Sequence, residues 1–181
     1  AKAGHQVHAT DLSDGMIQQL EQKAQATPRL TVRQLSFEKL DLLPGQKFDF
    51  LFSNFGGLNC VSDLTPVTRN LPALIQPGAH LTFVIMPKVC PWEWLWILKG
   101  KWKDAFRRFS RLGVDAIIDG HHFMAFYHSP AQVQRALGPD FRLVQSEGLG
   151  IFSPPPSAQN FVRRFPRLHP FLVWLDGMVQ K

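Results

Sequence analysis

Two hydrophobic periods alternate along the first half of the chain. QVHATDL (6–12) reads as a strand, after which Ser13 is placed to cap a helix whose Met16, Ile17, Leu20 and Ala24 recur at helical spacing. Pro28 closes that helix, and LTVRQLSF (30–37) reads as a second strand. Pro44-Gly45 marks a turn, and FDFLFSN (48–54) forms a third strand. Thr65-Pro66 then opens a helix with an apolar stripe of Leu64, Val67, Leu71, Leu74 and Ile75. Pro77-Gly78 is expected to end it, ahead of a fourth, wholly apolar strand, HLTFVIM (80–86). Strands separated by helices predict an α/β fold, a mostly parallel sheet covered on both faces.

The pattern changes after Met86. PWEWLWILKGKWKDAFRRFSRL predicts one or two amphipathic helices with Leu95, Leu98, Trp102, Ala105, Phe106, Phe109 and Leu112 on a stripe. GVDAIIDGHHFMAFYH is strand-like or irregular. Ser129-Pro130 starts a short helix with Val133 and Leu137 turned inward, and Gly138 stops it. FRLVQSEGL (141–149) reads as a further strand, SPPPS breaks the chain, and Leu168, Leu172, Leu175 and Val179 belong to a last helical segment.

Composition fits a single globular domain: 181 residues, 45% apolar and 19% charged. Its apolar runs are interrupted well short of the ~20 residues that span a bilayer. AKAGHQVHATDLSD has neither the basic start nor the apolar middle of a signal peptide. Cys60 and Cys90 are too few for a disulfide framework or a four-ligand zinc site, and reduced thiols in a cytoplasmic protein are the preferred reading. Six basic residues between Pro91 and Leu112 (Lys99, Lys101, Lys103, Arg107, Arg108, Arg111) face Glu93 and Asp104, so this segment carries +4 of the net +6. The basicity belongs to one element.

Each of the four strands runs into a small or polar cluster: Asp11-Leu12-Ser13, Ser36-Phe37-Glu38, Ser53-Asn54-Phe55-Gly56-Gly57, and Pro87-Lys88. In open α/β sheets ligands bind outside the carboxyl ends of the strands. An acidic residue there, Asp11, suits a ribose; it would equally serve to cap the following helix.

HATDLSDGMIQQL, LSFEKLDLL, FDFLFSNFGGLNCVSDL and LIQPGAHLTFVIM, in this order and spacing, resemble consecutive motifs of class I S-adenosylmethionine-dependent methyltransferases. SNFGGLNCV, CPWE and GLGIFSPPP resemble a bacterial small-molecule subgroup. The resemblance implies a Rossmann-like sheet, S-adenosylmethionine as cofactor, and methyl transfer to a small apolar or amphipathic acceptor. Asp11 would meet the ribose, and Leu12 and Met16 the adenine surroundings. Ser36 and Phe37 would meet the adenine edge, Ser36 standing where the family usually has Asp. Asn54 and Phe55 would lie beside the methionine moiety, where small neighbours let the backbone approach. The family's first strand and glycine-rich loop have no counterpart here, nor does its final antiparallel strand. The expectation is therefore one truncated methyltransferase-like domain over 1–181, incomplete at both ends and inactive alone.

Residues 87–128 are expected to form the acceptor-side lid or insertion, with Trp92, Trp96 and Tyr127 as substrate-binding candidates. The plainer reading, which we prefer, is a covering helix that packs its aromatics on the core and solvates its lysines. Peripheral membrane contact through 92–111 stays open, and nucleic-acid binding is disfavoured. No metal site is expected: in an extended HHFMAFYH, His122 and His128 would stand roughly 20 Å apart at ~3.3 Å per residue. His121, His122, His128 and Tyr127 are candidate general bases, and the sequence does not choose among them. A nicotinamide-dependent oxidoreductase is the alternative, though Tyr127 lacks a lysine four residues on. A non-enzymatic membrane-surface module is the third reading.

Overall fold

The computed structural model describes residues 3–43, 45, 47–54, 56–118, 120–155 and 158–179. Two compact units emerge, Ala1–Leu51 with Leu64–Leu81, and Phe52–Asp63 with Thr82–Lys181. The class is mixed α/β. Among the described residues the strands form three two-stranded sheets, where the sequence predicted a single sheet.

In the first unit β1 (Val7–Asp11) lies parallel to β2 (Leu30–Gln34), in a register that sets Val7 opposite Leu30 and Asp11 opposite Gln34. The crossover is α1 (Asp14–Gln25), which buries Ile17. Ser13 occupies its N-cap position, but its side chain makes no capping bond. A 3₁₀ segment, Phe37–Leu42, follows β2 and buries Leu40.

β3 (Phe48–Ser53) leads out of the first unit and pairs with β4 (Ile75–Phe83). The helix expected between them is split into α2 (Thr65–Thr68) and α3 (Leu71–Leu74). Pro72 is the cause: it has no N–H to give the Thr68 carbonyl, and its ring crowds that carbonyl. The apolar stripe survives the break, with Leu64, Val67, Leu71 and Leu74 all buried and Leu71 only 1% exposed. β4 starts at Ile75, so Pro77-Gly78 lies within it rather than before it. Pro77 cannot donate to a ladder and Gly78 has φ +82°, which a side chain would oppose. Coverage of both faces is also incomplete: Phe50 and Phe52 of β3 are more than half exposed.

The second unit holds a 3₁₀ turn (Gly57–Cys60), α4 (Pro91–Trp94), a 3₁₀ segment (Leu95–Lys99) and α5 (Trp102–Phe106). β5 (Val114–Ile118) and β6 (His121–Ala125) form an antiparallel hairpin pairing Val114 with Ala125 and Ile118 with His121. α6 (Pro130–Leu137) begins with a complete capping box: Ser129 Oγ accepts from Gln132 N–H and the Gln132 side chain accepts from Ser129 N–H. α7 (Gln159–Arg164) and α8 (Leu168–Val179) complete the unit. The strand predicted at 141–149 does not form, and Leu143, Val144 and Leu149 are exposed. Only Leu143 and Val144 supply adjacent strong strand formers in its middle, and no described strand pairs with it.

Candidate active site

Parallel pairing brings the ends of β1 and β2 side by side in the first unit. Leu35 N–H donates to the Asp11 carbonyl at 2.9 Å, and Gln34 Nε2 donates to the Leu12 carbonyl at 3.0 Å. Asp11 Oδ1 accepts from Ser13 N–H at 2.8 Å, closing a turn before α1 begins. The carboxylate therefore reaches no N–H inside the helix. Its second oxygen has no partner among the described residues. Leu12 and Met16 are 66% and 45% exposed, an apolar surface beside that carboxylate's turn. Ser36 Oγ accepts from Glu38 N–H at 3.3 Å, leaving its own proton to give, and Phe37 is half-buried at the start of the 3₁₀ segment. Asp11, Leu12 and Ser36 are thus gathered at one pair of strand ends, with Met16 one turn into the helix that follows.

Asn54 belongs to the second unit, half-buried where β3 ends, and its carbonyl accepts from Gly57 N–H at 3.3 Å. Phe55 lies outside the described residues. Gly56 has φ +71°, and a Cβ there would meet Asn59 Oδ1 and Met86 Cε at 3.2 Å. A glycine is needed at this position on both counts.

The acceptor-side candidates take three separate partners. Trp92 donates from Nε1 to the Phe152 carbonyl at 2.9 Å and meets Phe161 edge-on at 5.1 Å. Trp96 is at the surface, with Lys101 Nζ 5.0 Å above its ring. Tyr127 is buried beneath Arg108, whose guanidinium lies 4.7 Å from the ring centroid. Those assignments correct the expectation of a covering helix for 92–112: Trp94, Leu95, Trp96, Leu98, Trp102, Phe106, Phe109 and Leu112 are all exposed. Three- to five-residue helical pieces, interrupted by Gly100 at φ +71°, cannot turn a continuous stripe inward.

Two groups escaped the sequence reading. Glu93 of CPWE accepts from Arg107 (Nη2 2.8 Å, Nε 3.2 Å) and from Arg108 Nη2 at 2.8 Å. Burial works against its charge, yet the two guanidinium partners prevail and hold its carboxyl below the usual range. Arg108 also donates to the Pro87 carbonyl at 3.0 Å, while its buried Nε finds no acceptor among the described residues. No local signal could have paired Glu93 with residues fourteen and fifteen positions away. Asn59, wholly buried, is the second group, donating to the carbonyls of Met86 (3.0 Å) and Phe126 (2.6 Å) while accepting from Met86 N–H (2.8 Å). Its place in a run of small residues after a strand was the available clue.

Of the histidines, His122 pairs Nδ1 with Asp115 Oδ2 at 3.0 Å in an exposed position, and His128 Nε2 bonds the Val61 carbonyl at 2.9 Å in a buried one. Cys60 is exposed and Cys90 half-buried.

Residues 1–78 match the family model described as a methyltransferase domain. Over these residues the chain is similar to a methyltransferase domain. The match spans Asp11, Leu12, Met16, Ser36, Phe37 and Asn54, and agrees with the family resemblance of their motifs. No curated protein matches the chain. The matched residues include both β1 and β2, and the uncommitted carboxylate oxygen stands at the end of β1.

Proposed function

We propose that the protein transfers a methyl group from S-adenosylmethionine to a small apolar or amphipathic acceptor. The observation that carries this reading is the Asp11 carboxylate, held by Ser13 N–H through one oxygen with the other uncommitted, inside the methyltransferase match. A carboxylate so placed accepts hydrogen bonds from ribose hydroxyls, each worth about 1.5–3 kcal/mol. Exposed Leu12 and Met16 offer an adenine ring the apolar contact it needs. The Ser36 hydroxyl, with a proton to donate, is suited to an adenine edge nitrogen, and Phe37 flanks it. These residue types fit the nucleoside half of the cofactor. In the family resemblance, Asn54 and Phe55 correspond to the segment beside the methionine half.

When bound, the cofactor supplies an electrophilic methyl on a sulfonium. The chain's own residues hold the nucleoside, orient the acceptor, and take a proton from a hydroxyl or amine acceptor. Trp92, Trp96 and Tyr127 remain the acceptor candidates of the 87–128 segment. The general base stays unassigned between Tyr127 and the histidines.

Thermal unfolding tests the cofactor class. The protein is heated with S-adenosylhomocysteine and, separately, with NAD. Ligand at 100 times its Kd stabilises by about 2.7 kcal/mol. A shift with S-adenosylhomocysteine alone supports methyl transfer; a shift with NAD alone supports the oxidoreductase.

A further inference from the structure

We infer that the basic aromatic segment 94–112 docks the protein onto the surface of an anionic lipid bilayer. In the second unit this segment turns large apolar side chains outward: Trp94, Leu95, Leu98, Trp102, Phe106 and Leu112 range from 41% to 85% exposed, with Leu98 and Leu112 at 84% and 85%. Apolar groups so open to water, in a chain with a core of its own to bury them, mark an interaction surface.

Charge decides the occupant. Lys101, Lys103 and Arg111 are exposed among these side chains, and Asp104 is the one exposed acid of the segment. The other acid, Glu93, is already held by Arg107 and Arg108. The surface is therefore apolar and cationic together, as interfacial elements are. Lys101 Nζ stands 5.0 Å over the Trp96 ring, a cation beside an indole, both residue types that favour a headgroup boundary. A protein partner would be met by apolar contact without this excess of cations. No described helix is long and apolar enough to cross a membrane, so the segment lies on the bilayer.

The interrupted helical form suits this task. Gly100 separates Leu95–Lys99 from α5 and lets Leu98 and Trp102 project from two short pieces. Glu93 fixes the base of the segment through Arg107 and Arg108, and Arg108 anchors it in turn over Tyr127. The apolar tips are presented from a rigid footing.

Co-sedimentation of the 181-residue chain with vesicles tests the inference, and it reads out without cofactor. Binding is expected to vesicles of phosphatidylcholine with 30% phosphatidylglycerol and not to phosphatidylcholine alone. It should weaken steeply between about 50 and 300 mM salt. Lys101→Glu with Lys103→Glu should weaken it by roughly tenfold or more. Leu98→Glu with Trp102→Glu should abolish it while leaving the melting temperature unchanged; were that pair to unfold the chain, the lysine pair still decides. A tryptophan emission blue-shift on anionic vesicles alone would agree. Absence of binding to anionic vesicles at 50 mM salt overturns the inference. So does vesicle binding that both variant pairs retain, or a chain that binds RNA and not lipid.

Discussion

The side-chain amide of Asn59 holds both backbone polar groups of Met86, accepting its N–H at 2.8 Å and donating to its carbonyl at 3.0 Å. Asn59 thereby acts as a strand partner one residue long. Its Nδ2 also donates to the Phe126 carbonyl at 2.6 Å, and Phe126 N–H donates to the Asn59 carbonyl at 2.7 Å. The loop after β3, the chain leaving β4 and the chain leaving β6 are fastened at one wholly buried residue. Asn59 N–H also donates to the Gly56 carbonyl at 2.8 Å, which ties Gly56 to the same point.

Replacing Asn59 by Ala strands the Met86 amide and two carbonyls. Each unsatisfied buried group costs about 1–3 kcal/mol, so the urea midpoint should fall by the equivalent of about 3 kcal/mol or more. Asn59→Asp should be at least as damaging, because a carboxylate would face two carbonyl oxygens. A loss below about 1 kcal/mol in either variant would refute the fastening role.

The Glu93 clamp gives the second unit an acid limit. Its carboxyl is held below the usual range in the folded chain, so its contribution is complete above the unfolded pKa near 4.3 and is lost as pH falls through the folded value. Near-ultraviolet circular dichroism of the tryptophans should therefore hold steady down to about pH 4 and collapse below it. Glu93→Gln should lose about 2–4 kcal/mol at pH 7, the charge of the partly buried Arg108 being left unpaired, and show a flatter acid limb. Identical acid limbs would exclude the clamp.

His8 sets a milder dependence in the first unit. Burial, then the charge of Arg33, lowers its pKa; Nδ1 bonds Thr31 Oγ1 at 2.7 Å and the buried Nε2 has no partner among the described residues. The unfolded chain then takes up the proton more readily than the folded one. Stability is full above the unfolded pKa near 6.5 and declines as pH falls through it toward the folded value. Urea midpoints at pH 7.5 and 5.5 should differ more for the parent than for His8→Gln. Equal differences would remove His8 from the account.

Much of the first unit could be read from the sequence because its signals are local. Short apolar runs bounded by turn residues marked β1, β2 and β3, helical spacing marked α1, and the stripe Leu64, Val67, Leu71, Leu74 is buried as expected. Proline chemistry explains where the reading slipped. Pro72 divides one expected helix, and Pro77-Gly78, a plausible turn, sits inside β4. In the second unit the deciding contacts join residues far apart in sequence, such as Glu93 with Arg108 and Asn59 with Phe126, so periodicity could not supply them. Of the stripe of 95–112 Ala105 is buried while Leu95, Leu98, Trp102, Phe106, Phe109 and Leu112 are exposed, because amphipathicity gives a face and says nothing of what covers it. At the candidate site, residue type and strand-end position were legible; the uncommitted oxygen of Asp11 required the turn geometry.

Calorimetric titration of S-adenosylhomocysteine into the protein, beside Asp11→Ala, tests the central claim. The expected result is binding by the parent and a loss of roughly 10- to 150-fold in the variant, the equivalent of one charge-assisted hydrogen bond of 1.5–3 kcal/mol. Equal affinity in the two folded proteins, or no binding by the parent, would contradict the assignment of Asp11 to the cofactor ribose.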